Sequence, residues 1–279
     1  MPEPTSVSSL VDRYFYSHQF PTMWCPGCGD GVAAMSTVRA IDKLGIDPNN
    51  VIHVAGIGCA SVAHWYTAFS GLQAAHGRAL PSATGIKMAN PKLTVIVTMG
   101  DGDCAAIGGN HLIHACRRNI DITAIVYNNF NYGMTGGQIG PTMPSGALAS
   151  TAPYGNSERP FDLCRLVEAA GATYVARGSV YYVKELVGLI EKGMSHKGFS
   201  FIDVLTPCPT VFGRKNNKGS AGEMWRDHKE LTFSVKTLDS SESYDSKGKM
   251  ARGILIQKDE PEFVEEYDKV IAKAQRKGS

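Results

Sequence analysis

The sequence has no excess of charge of either sign, and it has no long apolar run. Its 279 residues include 28 Lys and Arg against 26 Asp and Glu, so the formal net charge is only +2. Such a balance lacks the basic footprint that favours binding to nucleic acid. No stretch reaches the roughly 18 consecutive apolar residues of a transmembrane helix, and the first residues lack the pattern of a secretory signal. We therefore expect a cytoplasmic protein with no membrane or nucleic acid among its partners.

Closely spaced cysteines are also scarce. The chain has seven cysteines, and among them Cys25 and Cys28, in WCPGCGDG, form the single Cys-x-x-Cys pair. In a reducing compartment such residues are more often metal ligands, catalytic groups or core residues than disulfides. Cys59 in GIGCAS and Cys208 in TPCPTV share the Gly- and Pro-rich context of the pair, which indicates loops. Spacing alone leaves three interpretations open: a four-thiolate [4Fe–4S] cluster, a zinc site or unpaired thiols.

The other three cysteines have a different context. Cys104, Cys116 and Cys164 lie in predicted helices beside apolar residues. A cysteine without a reactive role behaves as a small apolar side chain and is often buried. We therefore expect these three residues in the core.

Apolar strands alternate with helical patterns over residues 24–212, which we interpret as one domain. Alternation of this kind predicts an α/β fold with a doubly wound, mostly parallel sheet. Residues 1–23 are predicted to form an arm, and residues 213–279 a polar tail with little strand that contacts a partner. The predicted helices lie at 32–45, 104–118, 162–171, 181–193 and 261–276, the strands start at 51, 93, 122, 173 and 199, and a long loop covers 130–160.

Two of the predicted strands end in residues that suit a metal-bound diphosphate. The first ends in GDGD (100–103), where glycines permit close approach of the backbone and the next helix would point free N–H groups at an anion. The second ends in NNFN (128–131). Ligands of open α/β sheets bind beyond the carboxyl ends of strands. An anionic Asp beside a diphosphate needs a cation between them, and Mg²⁺ or Ca²⁺ prefers such oxygen ligands.

This pattern resembles the thiamine diphosphate motif that is shared by many decarboxylases, transketolases and 2-oxoacid oxidoreductases. The motif consists of GDG, a spacer that here has 25 residues (103–127), and NN. The resemblance implies that the side chains of Asp101 and Asn129 and the backbone carbonyl of Asn131 bind Mg²⁺. It also implies that Gly102 and Asp103 lie against the diphosphate. Asn131 stands where an aliphatic residue is expected, but its implied role uses the backbone.

Longer segments extend the resemblance. WCPGCGDG, GIGCAS, HGRALPSATGIKMANP, GGNHLIHACRRN, NNFNYGMTGGQ and TPCPTV occur in this order within about residues 20–215. Together they look like the β subunit of 2-oxoacid:ferredoxin oxidoreductases, most of all the 2-oxoglutarate type. The resemblance implies one [4Fe–4S] cluster whose ligands are Cys25, Cys28, Cys59 and Cys208. The residues it implies to approach the thiamine cofactor are Ile57, Gly58, Cys59, Ala60, His76, Gly77, Arg78, Ala79, Gly133, Met134 and Thr135.

Two of these residues have ordinary structural interpretations as well. His76 is either a loop histidine that bonds to nearby backbone or a donor to the diphosphate or the substrate carboxylate. Met134 is either a core methionine or, as the resemblance implies, a wedge under the thiazolium ring.

The same resemblance implies an activity and a partner. The enzyme would convert 2-oxoglutarate and coenzyme A to succinyl-CoA and CO₂, pass electrons through the cluster to ferredoxin, and also run the reverse, reductive carboxylation. The glutamate that activates the cofactor would come from an α subunit, in an α2β2 heterotetramer, so the catalytic residue within this chain is unknown. One alternative is the same chemistry on pyruvate or another 2-oxoacid. Two others are a non-oxidative thiamine diphosphate decarboxylase subunit and a non-catalytic metal-binding scaffold.

Overall fold

A computed structural model describes residues 6–237, 245–246 and 248–277 of the chain. The central strands are apolar runs such as TAIVYN and SFIDVL, and every residue of these two strands is buried. Strands of this kind are typical of parallel sheets covered by helices on both faces. In chain order the elements are α1 Val7–Tyr14, α2 Asp30–Leu44, β1 Val51–Ala55, α3 Ala63–Tyr66, β2 Ser70–Gln73, α4 Ala79–Ala89, β3 Thr94–Gly100, α5 Gly109–Arg118, β4 Thr123–Asn128, β5 Asn131–Tyr132, β6 Gln138–Ile139, α6 Leu163–Ala169, β7 Tyr174–Ser179, α7 Val183–Ser195, β8 Ser200–Leu205, α8 Ala221–Glu230, β9 Thr232–Ser234, β10 Asp245–Ser246, β11 Lys249–Gln257 and α9 Phe263–Lys277.

The main sheet of the described residues has the strand order β10-β11-β7-β8-β4-β3-β1-β2, and β9 pairs with β11. From β7 to β2 all neighbours are parallel, whereas β11 joins β7 in antiparallel register. The strand order confirms the predicted α/β fold with a mostly parallel sheet. No helix in the described ranges is long and apolar enough to cross a bilayer.

Helices cover both faces of the sheet. Apolar side chains of α4, α5 and α6 pack together with Val95 and Val97 of β3. The neighbouring residue Ile96 points to the other face, where it packs with α1 and α2. α2 and α7 lie side by side on that face and pack against Ile125 and Ile202 of the sheet. The fold is therefore a three-layer arrangement with a core on each side of the sheet.

The two ends of the chain differ from the prediction. Within the predicted arm, α1 buries Leu10 and Tyr14 against the core. The expectation of little strand in the tail is wrong, because β11 extends the main sheet through its pairing with β7. The predicted helix at 261–276 is confirmed as α9. Residues 1–5, 238–244, 247 and 278–279 of the predicted arm and tail lie outside the described residues.

The sheet brings four loops to one edge. β8, β4, β3 and β1 are neighbours in this order, and all four run parallel. Their carboxyl ends therefore lie side by side. The loops that follow them begin at Thr206, Asn129, Asp101 and Gly56, which are the segments that carry the predicted chemistry.

Candidate active site

The predicted cofactor segments enclose a small cavity at this edge of the sheet. Its volume is about 70 Å³. Most of the predicted cofactor and Mg²⁺ residues line it, together with Gly100 of the GDGD motif and with Tyr132, which the sequence did not single out. The lining residues are Ile57, Gly58, Cys59, Ala60, His76, Gly100, Asp101, Gly102, Asp103, Asn129, Asn131, Tyr132, Gly133, Met134 and Thr135.

Asp103 joins three loops of the cavity. Its Oδ1 accepts a hydrogen bond from the Gly77 amide at 2.6 Å and contacts His76 Nδ1, and its Oδ2 accepts one from the Ile57 amide at 3.2 Å. A carboxylate oxygen accepts, so Nδ1 of His76 is the donor in this contact. Gly56 is required here, since a Cβ would lie 1.6 Å from Asp103 Oδ2. The Asp103 side chain thus organises the loops around the cavity.

Asp101 lies at the floor of the cavity and is almost fully buried. Burial raises the pKa of this carboxyl to about 7, because the charged form loses its hydration. Thr142 Oγ1 donates to Asp101 Oδ2 at 2.6 Å. A bound cation would restore the favourable environment of the charged carboxylate, so Asp101 fits the role of a metal ligand.

The Asn129–Asn131 segment has a constrained backbone. Phe130 has φ = 65°, a left-handed conformation that is a genuine outlier for a bulky side chain. Asn131 Nδ2 donates to the Asn129 carbonyl at 2.9 Å and to Asn129 Oδ1 at 3.2 Å. Asn131 Oδ1 is buried and has no hydrogen-bond partner among the described residues. A buried unpaired oxygen in this loop is compatible with a cation at the site.

Two of the four loop cysteines, Cys59 and Cys208, lie at this cavity or next to it. Cys59 is part of its lining. A Cβ at Gly133 would lie 3.6 Å from Cys59 Sγ and 3.6 Å from Cys208 Sγ, so Gly133 stands next to both sulfurs. Cys28 and Cys25 form a turn in which the Cys28 amide donates to the Cys25 carbonyl at 3.0 Å.

Three contacts join the cysteine loops to one another. Trp24 Nε1 donates to the Cys59 carbonyl at 2.9 Å. The Gly29 amide approaches the Pro207 carbonyl at 3.4 Å, next to Cys208. The structure thus brings together segments that are up to 183 positions apart in the sequence (25 to 208).

The protonation of these thiols depends on their burial. Burial raises the pKa of Cys28 well above its usual range, and burial beside Asp30 raises that of Cys59 to about 12. A thiolate is the form that binds metal, and a metal ion deprotonates a coordinating thiol. Cys28 and Cys59 would therefore be thiols without a metal and thiolates with one.

No group of three or more His, Cys, Asp or Glu within the described ranges is close enough to hold a single metal ion. A [4Fe–4S] cluster binds each thiolate through a different iron, so it spaces its ligands more widely than one ion does. Cluster ligation by Cys25, Cys28, Cys59 and Cys208 stays a prediction. The burial of Cys104, Cys116 and Cys164 in the core is confirmed.

Three predicted cofactor residues do not line the cavity. Gly77 reaches it only through its bond to Asp103, and Ala79 is fully buried at the start of α4. Arg78 is exposed, and its Nη1 donates to the His76 carbonyl at 3.2 Å. Their contact with the cofactor stays a prediction. Met134 is half exposed at the cavity, so its interpretation as an ordinary core methionine is wrong.

Two positions that sequence reasoning missed come from the long loop at 130–160. Thr142 bonds to Asp101, and Gly140 must be small because a Cβ would lie 2.9 Å from Asp101 Oδ2. The GQIGPT segment that carries them has glycine and proline but no periodicity, so the sequence alone offered only a turn signal.

A second cavity of about 340 Å³ lies on the other side of the Asn128–Asn129 segment. Phe130, Phe161 and Phe212 contribute much of its apolar wall. The smaller cavity is the better active-site candidate despite its size, because most of the predicted metal and cofactor residues line it, whereas only Asn129 and Cys208 of the predicted residues line the larger one.

Known proteins resemble this chain over most of its length. Residues 55–204 match the family model of the thiamine pyrophosphate enzyme C-terminal TPP-binding domain. The 2-oxoglutarate synthase subunit KorB of Methanothermobacter thermautotrophicus is 47% identical over 259 residues, which are 93% of this chain and 91% of that protein. KorB of Archaeoglobus fulgidus is 52% identical over 197 residues, 71% of this chain and 73% of its own.

The fold comparison agrees with these relatives. The solved 2-oxoglutarate:ferredoxin oxidoreductase from Magnetococcus marinus, with 2-oxoglutarate, coenzyme A and succinyl-CoA bound, superposes with a TM-score of 0.86 at 31% identity, covering 95% of this chain and 90% of that one. The chain therefore belongs to the thiamine diphosphate enzymes and, within them, to the β subunits of the 2-oxoacid:ferredoxin oxidoreductases, of the 2-oxoglutarate type.

Proposed function

We propose that this chain, together with an α subunit, oxidises 2-oxoglutarate and coenzyme A to succinyl-CoA and CO₂ and passes the electrons through a [4Fe–4S] cluster to ferredoxin. The observation that carries the proposal is the position of Gly133 and the 57–60 loop. Gly133 lines the cofactor cavity and lies next to the sulfurs of Cys59 and Cys208. The bound cofactor and the cluster that accepts its electrons would thus lie on either side of the same cavity wall.

The chain's own residues would hold each group. Asp101, Asn129 and the Asn131 carbonyl would bind Mg²⁺ beneath the diphosphate, and Cys25, Cys28, Cys59 and Cys208 would bind the cluster. When bound, thiamine diphosphate supplies a nucleophilic carbon and an electron sink for decarboxylation. Asp103 would keep the 57–60 loop and His76 in place around it, because it bonds to both.

The size of the cavity supports a partner subunit. Ligand pockets usually span about 300–1,000 Å³, whereas this cavity has about 70 Å³. A thiamine cofactor would therefore need further walls, which a second chain would provide along with the activating glutamate. Met134, half exposed beside the cavity, is a suitable apolar contact for such a chain.

The tail is a further candidate for contact with the partner. Tyr267, Val270 and Ile271 follow helical spacing on α9, and each is at least 41% exposed. The α2β2 arrangement, the ferredoxin partner and tail contact with the α subunit are all part of the proposal.

Anaerobic co-expression with the α subunit tests the proposal. We expect a brown enzyme with broad absorbance at about 400 nm, stoichiometric iron and sulfide, and ferredoxin reduction that requires 2-oxoglutarate and coenzyme A. Pyruvate in place of 2-oxoglutarate is the matched substrate control. A colourless enzyme would contradict the proposed [4Fe–4S] cluster. Faster turnover of pyruvate than of 2-oxoglutarate would contradict the proposed substrate.

A further inference from the structure

A continuous series of buried polar side chains runs behind Asp101. Thr142 Oγ1 lies 2.6 Å from Asp101 Oδ2 and 2.9 Å from Asn128 Oδ1. Asn128 Nδ2 donates to Asp203 Oδ1 at 3.1 Å. Arg177 Nε donates to Asp203 Oδ2 at 2.9 Å. All five residues are buried, and Thr142, Asn128, Arg177 and Asp203 also line the cavity of about 340 Å³.

The sheet register places three of these residues on one face. Arg177 of β7 and Asp203 of β8 are direct partners, and Asp203 is in turn opposite Val126 of β4. Asn128 lies two residues beyond Val126, so its side chain points to the same face. The series therefore runs obliquely across β7, β8 and β4 toward the carboxyl edge, where Asp101 follows β3.

The bonds determine how the Asn128 amide is oriented. Its NH₂ group must face the Asp203 carboxylate, because a carboxylate oxygen accepts and the amide oxygen would be repelled. The Asn128 Oδ1 therefore faces Thr142. The Thr142 hydroxyl has a single hydrogen and two acceptors within reach. An ionised Asp101 is the stronger acceptor and the nearer one, so it receives that hydrogen, and the contact of Thr142 with Asn128 Oδ1 is then not a hydrogen bond.

The loop that carries Thr142 approaches Asp101 closely at a second position. Gly140 adds a second observation, because the segment that carries Thr142 passes so close that a Cβ at Gly140 would lie 2.9 Å from Asp101 Oδ2. One oxygen of Asp101 is thus enclosed by Thr142 and Gly140.

We propose that Thr142 is a positioning residue for Asp101, and that its hydroxyl sets the affinity of the site for its divalent cation. The proposal rests on the cation-binding role proposed above for Asp101. Hydrogen-bonding partners of metal ligands orient those ligands, and their loss typically weakens metal binding about 10- to 100-fold.

The test measures thiamine diphosphate binding by calorimetry in the assembled α–β enzyme, stripped of divalent cations and titrated with Mg²⁺. Thr142→Val removes the hydroxyl at nearly constant volume, and we expect the Mg²⁺ concentration at half-saturation to rise about 10- to 100-fold. Thr142→Ser retains the hydroxyl and should stay within about threefold of the parent. Should the valine variant fail to fold, Thr142→Ala provides the same comparison without added bulk.

Thr37→Val is the matched control. Thr37 is as buried as Thr142, at 4% exposure for each, and its hydroxyl donates to the Ala33 carbonyl within α2. An unchanged Mg²⁺ midpoint in the valine variant, or an equal rise in the serine variant, would overturn the positioning role. Cofactor binding by the parent enzyme that needs no divalent cation would instead overturn the cation role of Asp101 on which it rests.

Discussion

The two ends of the candidate site are built differently. We call Asp101, Asp103, Asn129 and Asn131 the oxygen end, and Cys25, Cys28, Cys59 and Cys208 the thiol end. Every residue of the oxygen end is buried, and hydrogen bonds tie Asp103 to the Gly77 amide, Asp101 to Thr142, and Asn129 to Asn131. In the thiol end Cys25 is exposed and the other three are half-buried.

The difference lies in what holds each end. Asp101 and Asn129 of the oxygen end follow β3 and β4 directly, so the sheet determines their positions. In the thiol end, Cys208 and Cys59 follow β8 and β1 by three and four residues. Cys25 and Cys28 lie in a loop before α2, which is held by contacts such as that of Trp225 Nε1 with the Gly27 carbonyl at 2.8 Å. We infer that the oxygen end is largely preformed, whereas the thiol end depends on its cluster for a defined arrangement.

The largest expected effect is at the thiol end. Cys208→Ser should abolish the cluster, because serine does not replace thiolate as a ligand of comparable affinity for iron–sulfur clusters. Iron content and the absorbance at about 400 nm should fall to the level of an empty protein. Mg²⁺-dependent thiamine diphosphate binding should stay within about threefold of the parent, since the sheet holds the oxygen end.

Cys116→Ala is the matched control for that experiment. Cys116 lies in the core cluster, so its loss should cost about 1 kcal/mol of unfolding free energy and leave the iron content intact. A Cys208→Ser enzyme with a full complement of iron would contradict the ligand assignment. Loss of cofactor binding in the same variant would instead show that the two ends are not independent.

The next effect is at the oxygen end. Asp101→Ala removes the buried carboxylate, and we expect Mg²⁺-dependent cofactor binding to weaken by about 100-fold or more. This exceeds the roughly 10- to 100-fold loss expected when only a hydrogen-bonding partner of a metal ligand is removed. Calorimetry measures this, and iron content should be unchanged. Asp12→Ala, at an exposed position on α1, serves as control. Normal cofactor binding in Asp101→Ala would disprove the metal assignment.

The sequence predicted the parts of the site that follow regular strands. GDGD and NNFN each end a continuous apolar run, and such runs identify buried parallel strands whose carboxyl ends share an edge. The contrast between cysteines in Gly- and Pro-rich loops and cysteines in apolar helices also predicted their burial correctly. Local composition was sufficient in both cases, because each signal lies within a few residues of the feature.

Thr142, Gly140 and β11 could not be found in this way. Thr142 and Gly140 act through contacts with Asp101, about 40 positions away, inside a loop without periodicity. The strand β11 has one half-exposed face, and it depends on pairing with β7, some 75 positions earlier in the chain. Such non-local contacts leave little trace in composition, which is why the tail was expected to have little strand.

The smallest expected effect is at the junction of the two ends. Gly56 follows β1, precedes Cys59 by three residues and faces Asp103, so Gly56→Ala would place a methyl group 1.6 Å from Asp103 Oδ2. Asp103 must then move, at a cost of about 1–3 kcal/mol of unfolding free energy for overpacking. The shift should weaken cofactor binding by about tenfold, which corresponds to roughly 1.4 kcal/mol. It should also lower iron content in part, because Cys59 shares the displaced loop.

Gly85→Ala in α4 provides the control, since nothing lies within 4 Å of its added Cβ. Alanine is the better helix former there, so that variant should gain about 0.5–1 kcal/mol. Thermal unfolding, calorimetry and iron assay on both variants would sharpen the comparison of the two ends. If Gly56→Ala weakened cofactor binding but left iron content untouched, the 57–60 loop would not couple the oxygen end to the thiol end, and the shared wall proposed for electron transfer would have to be replaced by two separate sites.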